Sequence, residues 1–136
     1  MATANKFNQF VEDLSDKVHH CGTDQFTVSL TNTAPVATNS VVADLTEVSY
    51  TNCSSRDLTT STHSESSGTY TQLFADLVLT ASGGSIGPFR YGVIFNNTPT
   101  SPADPLVQWY DYGSSITVLD GETFTFDFTT STWTIA

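Results

Sequence analysis

Basic side chains are scarce in this sequence. Lysine and arginine together number 4, against 14 aspartates and glutamates, which gives a formal charge of −10. Proteins that bind nucleic acid draw much of their affinity from basic side chains placed on phosphates. The cations are also scattered along the chain, at Lys6, Lys17, Arg56 and Arg90. The composition therefore argues against a nucleic-acid partner, and the acidic excess favours solubility and partners with neutral or basic surfaces.

Long apolar runs and a cysteine framework are missing as well. No window approaches the ~20 apolar residues of a membrane-spanning helix. The opening segment MATANKFNQF also lacks the basic start and apolar run of a signal peptide. We therefore expect no membrane partner and synthesis in a cytoplasm. In that compartment Cys21 and Cys53 are expected to be free thiols rather than a disulfide.

The chain is rich in hydroxyl and aromatic side chains. Serine and threonine make up roughly three residues in ten, above ordinary usage, and phenylalanine occurs 9 times. β-Branched and aromatic side chains are typical of strands. A length of 136 residues is the usual size of one domain with its own core. We therefore predict a single, mostly β domain over 1–136.

The N-terminal segment has the period of a helix. Apolar residues recur at a spacing near 3.6 and form a stripe of Phe7, Phe10, Val11, Leu14, Val18 and Cys21. Gly22 follows the stripe and is a natural C-terminal stop. The pattern predicts one N-terminal amphipathic helix over 5–21, packed by its stripe against a sheet.

From Gln25 onward the period changes to two, which is typical of strands. Strands are predicted at 26–30, 56–62, 70–80, 89–96, 106–112, 116–119, 123–128 and 132–135. The segment 41–50 alternates poorly and is either a strand or a partly ordered connection. Short antiparallel strands at this spacing predict a β-sandwich or barrel-like domain over 25–136.

The faces and turns of these strands follow from the same pattern. In the first strand, Thr27 and Ser29 are expected on a solvent face. HSESSG is predicted to join 56–62 to 70–80, where Leu73, Ala75, Leu77 and Leu79 would share one face. GSS is predicted to be a turn after 106–112. Asp120-Gly121 is predicted to close a two-residue type I′ hairpin between 116–119 and 123–128.

One motif resembles that of a serine hydrolase. Gly83-Gly84-Ser85-Ile86-Gly87 fits the G-x-S-x-G pattern, which works where a strand turns sharply into a helix. Pro88 and a predicted strand follow here instead, so a flexible loop between strands is the favoured interpretation.

Soft metal ligands stand in a row at His19, His20 and Cys21, with His63 and Cys53 as the spare ligands elsewhere. Neighbouring residues on a helix point about 100° apart and do not easily share one ion. Helix capping and core filling are favoured instead. We expect no metal and no cofactor.

Carboxylates cluster near the C-terminus, at Asp111, Asp120, Glu122 and Asp127. Paired carboxylates can hydrolyse glycosides, and the nearby rings of Trp109, Tyr110 and Tyr112 could stack on a sugar. Turn and solvent-face roles explain the same acids. We therefore predict no catalytic residue, and carbohydrate binding stays as an alternative.

Aromatic side chains on the strands are the remaining candidates for a site. Trp109 and Tyr110 are neighbours and point to opposite faces of a strand, so a second face must be covered or exposed. Aromatic residues are enriched in protein interfaces. The candidate interface residues are Trp109, Tyr110, Tyr112, Phe89 and Tyr91. The alternative is a sandwich that its own loops and helix cover on both faces.

Two stretches of the chain carry a resemblance to a family. KFNQFVEDLSDKVHHCGTDQFTVSLTNTAPVATNSVVADLTEVSYTN resembles the start of small proteins encoded in the head-gene regions of tailed bacteriophages, with their F-x-x-F-V-E-x-L core and LTNTAP. FRYGVIFNNT and LVQWYDYGSSITVLDGETFTFDF resemble the C-terminal half of the same family, so the resemblance covers nearly the whole chain. His20-Cys21 departs from the Asn-Leu expected there.

The resemblance implies a virion structural protein that is not an enzyme. The size of the proteins that it resembles and the position of their genes in the head-gene region imply a capsid decoration or cement protein on the capsid surface, assembled in the cytoplasm of the host bacterium. Its partner would be the major capsid protein, and a homo-oligomer, a trimer or dimer, is expected at a symmetric junction. The alternatives are a tail tube, head–tail connector or fibre-associated virion protein, or a carbohydrate-binding module.

Overall fold

The computed structural model describes residues 2–129 and 131–136. Over these residues the chain is 49% strand and 7% helix. The elements are β1 Ala4–Lys6, α1 Gln9–Ser15, β2 Phe26–Thr31, a 3₁₀ turn Val42–Asp44, β3 Thr60–Ser66, β4 Thr69–Phe74, β5 Leu77–Thr80, β6 Ile86–Asn96, β7 Leu106–Val118, β8 Thr123–Phe126 and β9 Trp133–Ile135. The mostly β, antiparallel fold with one N-terminal helix is confirmed.

The strands form two layers around one main core. The first layer is a four-stranded antiparallel sheet in the order β1-β7-β6-β2. The second layer contains a three-stranded sheet, β3-β4-β9, and a two-stranded sheet, β5-β8. The main core takes buried side chains from both layers, among them Phe26, Val28, Phe74, Leu79, Ile94 and Trp133. Burial of apolar area between the two layers makes the domain a β-sandwich.

A second, smaller core covers the other face of the four-stranded sheet. Phe7, Val93, Phe95 and Leu106 are buried there, and the partly buried Val42, Leu45 and Trp109 pack against them. The central strands β6 and β7 are therefore covered on both faces. This arrangement explains why their sequences are apolar on consecutive residues rather than on alternate ones.

The helix is shorter at both ends than the 5–21 that the apolar stripe predicts. At its start, Ala4–Lys6 pair with β7 as a strand. At its end, Asp16 leaves helical geometry and Lys17 takes a left-handed φ of 62°. The stripe is therefore divided: Phe10 enters the main core, Phe7 enters the second core, and Val11 is 50% exposed.

The turn at Asp120-Gly121 exists, but the predicted hairpin across it is wrong. Glu122 N–H donates to Leu119 O at 2.8 Å, and of the two central residues only Gly121 has a positive φ, 83°. A type I′ turn needs a positive φ at both positions. The chain therefore passes from one layer to the other at this turn, and β8 pairs with β5 instead of β7.

GSS is not a turn, because β7 continues through it. Asp111 lies opposite Tyr91 and Ile116 lies opposite Phe89, so residues 112–115 bulge out opposite the single residue Arg90. Gly113 has a φ of 101°, a conformation that glycine adopts without strain.

The hairpin around HSESSG is confirmed as β3 and β4, although its turn is confined to Ser67-Gly68. Both residues have positive φ, 51° and 84°. The predicted strand 70–80 is interrupted after Phe74 and continues as β5. Because of this break, Ala75 does not share a face with Leu77 and Leu79: it is exposed while they are buried.

The expected solvent face of β2 is covered, so the prediction for Thr27 and Ser29 is wrong. Both residues are buried, at 4% and 0% exposure. The segment 47–58 runs along β2 and closes its edge, with Val28 N–H donating to Arg56 O at 3.0 Å. The segment 41–50 proves to be an irregular connection that includes the 3₁₀ turn.

Hydrogen bonds of Glu47 and Tyr50 attach the segment 47–58 to Ser29 and Leu30 of β2. The Tyr50 hydroxyl donates to Glu47 Oε2 at 2.6 Å and accepts the Leu30 N–H at 2.8 Å. The Ser29 hydroxyl donates to the same carboxylate oxygen at 2.7 Å. Burial and the bond to Glu47 raise the pKa of Tyr50 to about 12, so the phenol keeps its proton at neutral pH. The Arg56 guanidinium lies 3.6 Å above the Tyr50 ring.

Tyr50→Phe should destabilise the domain by about 1–3 kcal/mol, because it leaves Glu47 and the Leu30 N–H without their shared partner. Tyr112→Phe is the matched control. That side chain is 55% exposed, and its change should stay within about 0.5 kcal/mol. Urea denaturation at neutral pH measures both variants. Equal urea midpoints for the two variants would show that the hydrogen bonds of the Tyr50 hydroxyl do not stabilise the domain.

Phe10→Ala and Val11→Ala should differ sharply although the two residues are neighbours on α1. Phe10 is 5% exposed and Val11 is 50% exposed. Truncating a buried phenylalanine costs about 3–5 kcal/mol, whereas the exposed valine should contribute under about 0.5 kcal/mol. A Phe10→Ala protein as stable as the wild type in the same denaturation experiment would show that α1 does not anchor the core.

Candidate functional site

An open groove of about 460 Å³ lies between the segment 123–129 and the four-stranded sheet. One wall is the continuous stretch 123–129, which contains β8. The other wall comes from β6 and β7. We call this the aromatic groove, and its lining consists of Ala2, Phe89, Arg90, Gly92, Tyr110, Tyr112 and residues 123–129. Its volume falls within the ~300–1,000 Å³ range of ligand-binding clefts.

Phe124 is the centre of the ring cluster in this groove. Its ring centroid lies 5.3 Å from Phe89, 5.4 Å from Tyr112 and 5.2 Å from Phe126, each in an edge-to-face arrangement. Aromatic pairs prefer this geometry and gain ~0.5–1.5 kcal/mol each beyond area burial. The alternation of β8 turns Phe124 and Phe126 toward the groove and leaves Thr123 and Thr125 exposed.

A glycine in β6 makes room for one of these rings. A Cβ atom added at Gly92 would overlap the ring of Phe126. The absence of a side chain therefore lets Phe126 lie directly on the backbone of β6.

The rim of the groove is held by a bidentate ion pair across the β6–β7 bulge. Arg90 donates to Asp111 through Nε at 2.7 Å and through Nη2 at 3.0 Å. Asp111 Oδ1 also accepts the Gly113 N–H at 2.8 Å. The bond from Arg90 lowers the pKa of Asp111. The pair is well exposed and adds little stability, but its geometry fixes the bulge that carries Tyr112.

The five predicted interface residues do not form one surface. Phe89 and Tyr110 line the floor of the groove but are only 1% and 7% exposed, so they belong to the core. Trp109 points to the opposite face, with its ring 4.6 Å from that of Phe7. Tyr91 is half-buried and pairs with Thr31. Of the five, Tyr112 alone is exposed, at 55%.

The candidate interface residues predicted from the sequence did not include Phe124 and Phe126, which form the β8 side of the groove. Both rings are in fact only partly buried. The sequence signal was present in the strict alternation of TFTF, which leaves one face of the strand to be covered by something. Which strand would lie beside β8 is a long-range property that the alternation does not contain.

The carboxylates near the C-terminus have structural roles for the most part. Asp111 binds Arg90, Asp120 accepts the Gly83 N–H at 3.0 Å and Glu122 accepts the Leu119 N–H at 3.0 Å. Asp127 is exposed at the groove. The sugar platform considered for Trp109, Tyr110 and Tyr112 is wrong as a unit, since the three rings do not share a face.

The serine motif does not form a nucleophile elbow. Ser85 is exposed in the loop before β6, and the chain continues into this strand rather than into a helix. The Asn52 side-chain amide donates to Ser85 O at 3.3 Å, which ties the loop to the 47–58 segment.

His19, His20 and Cys21 point into different environments. His19 is buried, His20 is exposed and Cys21 is half-buried. Within 2–129 and 131–136, no group of three or more His, Cys, Asp or Glu side chains is arranged to hold a metal ion. Cys21 and Cys53 are free thiols, and burial raises the pKa of each.

His19 is held as a neutral ring in the core. Its Nδ1 accepts from the Asn96 side-chain amide at 3.0 Å, and Asn96 also donates to Asp24 at 2.7 Å. The other nitrogen, Nε2, lies 3.9 Å from Asp13 Oδ2, and neither atom has a hydrogen-bond partner. Burial lowers the pKa of His19, and the charges of Asp13 and Asp24 oppose this shift only in part.

No helix among the described residues combines the length and the apolar character required to cross a bilayer.

Comparison with known proteins gives no match to this chain among family models, curated proteins or solved structures.

Acid should destabilise the domain through His19. Its pKa is lowered on folding from an ordinary value of 6.5, so the unfolded chain binds more protons as the pH falls through this region. The stability that the neutral ring provides is therefore complete above about pH 6.5 and is lost progressively below it. Thermal unfolding followed from pH 7.5 to pH 5 should show this loss.

His19→Gln should flatten that part of the pH profile, because glutamine keeps a polar side chain but does not titrate. His20→Gln is the matched control, because His20 is exposed and should leave the profile as in the wild type. A profile of unchanged slope in His19→Gln would assign the acid sensitivity to other groups. The two acids that face the ring, Asp13 and Asp24, would then be tested as Asp13→Asn and Asp24→Asn.

Proposed function

We propose that this chain is a structural protein of a bacteriophage virion, a capsid decoration or cement protein that binds and stabilises the head shell. The resemblance of KFNQFVEDLSDKVHHCG and FRYGVIFNNT to small phage head-region proteins supports the viral source. The aromatic groove supports the binding role. It presents rings to solvent, and two of them, Phe124 and Phe126, are held in place by packing against the main core.

The observation that carries the proposal is the exposure of Tyr112 above a preformed ring cluster. This aromatic side chain is 55% exposed and packs edge-to-face on Phe124, so its ring has a supporting contact before any partner arrives. Binding then costs little side-chain entropy. Aromatic anchors of this type dominate the binding energy of protein interfaces.

The mechanism is adhesion across the junctions between shell subunits. Each bound copy adds buried area between neighbouring subunits and so opposes their separation under the pressure of packed DNA. A ligand present at ~100 times its dissociation constant stabilises its target by ~2.7 kcal/mol per site. The major capsid protein is the proposed partner, and the symmetry of the junction sets a trimer or dimer of bound copies. The charge of −10 keeps free copies apart before they dock.

Imaging of purified virions tests the location. Gold-labelled antibody against this chain should mark the heads of wild-type particles in negative stain. Particles from a phage in which the gene is deleted provide the control and should carry no label. Label along the tail, or no label on wild-type particles that hold their DNA, would overturn the proposal. Particles from the deletion phage should also release DNA at a lower temperature than the wild type.

A further inference from the structure

The strand β8 has one closed edge and one open edge. It pairs with β5 in the register Leu77–Phe126 to Thr80–Thr123, and in the described residues it belongs to a two-stranded sheet only. The bond from Ala81 N–H to Glu122 O, at 3.0 Å, fixes which residues bond across this pair. Bonded pairs alternate along an antiparallel ladder. The backbone groups of Thr123 and Thr125 therefore point away from β5.

This open edge borders the aromatic groove. Every residue of 123–129 lines the groove, and Thr123 and Thr125 are exposed. The edge of β2 is different, because the segment 47–58 closes it with backbone bonds at Val28, Leu30 and Phe26. Among the residues that the structure describes, one long edge is thus sealed by the chain itself and another is left open beside a row of rings.

We propose that the β8 edge accepts an extended segment of a partner protein as an added antiparallel or parallel strand. Main-chain bonds to Thr123 and Thr125 would hold the segment, and its alternate apolar side chains would enter the groove against Phe124, Phe126 and Tyr112. Strand addition of this kind obtains affinity from the backbone and specificity from side-chain pockets. The inference rests on the proposed function for the source of the segment, which is the shell protein.

The charges at the groove define the chemistry of that segment. Asp127 lies on the groove wall, and Asp120 and Glu122 lie in the turn that leads into β8. The cation of the lining, Arg90, is already bound to Asp111. A segment that alternates apolar residues with lysine or arginine therefore complements the site. A second copy of this chain does not, since each copy carries −10.

Binding of a model strand in solution is the direct test. The probe is the acetylated and amidated peptide Lys-Val-Lys-Tyr-Lys-Val-Lys, titrated into the ¹⁵N-labelled protein. We expect saturable shifts of the Thr123 and Thr125 amide resonances. Two control peptides should bind at least about tenfold more weakly: one with every lysine replaced by glutamate, and one with alternate backbone nitrogens methylated. Shifts confined to other parts of the surface, or equal binding of the methylated peptide, would overturn the inference.

Two proline variants change the two outer edges of the β5–β8 sheet, one edge in each variant. Thr125 and Val78 are cross-strand partners whose backbone groups point to opposite edges. Proline is tolerated at outward positions of edge strands and removes the outward N–H. Thr125→Pro should reduce peptide affinity at least about tenfold, whereas Val78→Pro should bind as the wild type does. Circular dichroism confirms that both variants fold.

Tyr112→Ala keeps the inference testable if Thr125→Pro fails to fold. Its side chain is largely exposed, so the domain should fold normally while peptide affinity falls severalfold. Tyr112→Phe keeps the ring and should retain binding. Full affinity in Tyr112→Ala would overturn the placement of the segment in the groove.

Antibody labelling of virions that carry the variants distinguishes failure of this inference from failure of the proposed function. If wild-type protein and Val78→Pro are detected on the heads and Thr125→Pro is not, strand addition and the decoration role are both supported. If Thr125→Pro marks the heads as strongly as the wild type, strand addition is wrong and the decoration role survives. If the wild type is absent from heads, the decoration role fails, and the peptide titration alone decides whether β8 binds strands.

Discussion

The packing of one indole ring underlies most of the fold. Trp133 lies on the short strand β9, and its ring centroid is 5.7 Å from Phe10, 5.4 Å from Phe26 and 5.6 Å from Phe74. These three rings belong to α1, to the four-stranded sheet and to the second layer. Burial of each is worth ~1.5–3 kcal/mol, so one residue near the chain end connects three elements that are far apart in sequence. The position of each element depends on the other two.

The groove is built outward from this cluster. Phe128 packs its ring 6.0 Å from Phe74 and 6.3 Å from Tyr110, and its N–H donates to Asp76 at 2.9 Å. The chain that leaves β8 is thus fastened to both layers. Because the wall of the groove is anchored in the core, the open edge of β8 is held extended before anything binds. A strand that docks on a preformed edge orders only itself, which lowers the entropic cost of binding.

Local patterns predicted the elements whose partners are close in sequence. The alternation at 26–30 located β2, the β-branched and aromatic residues of 89–96 located β6, and HSESSG located the β3–β4 turn. Long-range contacts decided the rest. The bulge at 112–115 depends on Arg90 in another strand, the burial of Ser29 depends on Glu47, and no local pattern contains either contact. For the site, residue type drew attention to Phe89, Tyr110 and Tyr112, which line the groove. Their exposure could not be predicted, because it depends on a register shift between β6 and β7.

The same acidic charge has two consequences at the open edge. An open strand edge beside exposed rings is a surface on which identical chains tend to pair and aggregate. Copies that each carry −10 repel one another within the ~8 Å over which charges act at physiological salt, and the acids of the β8 turn place part of that repulsion at the edge itself. A cationic strand experiences the opposite force at the same place. The acids therefore discourage pairing with a second copy and favour a basic partner, so the scarcity of lysine and arginine becomes a determinant of which segment the edge can accept.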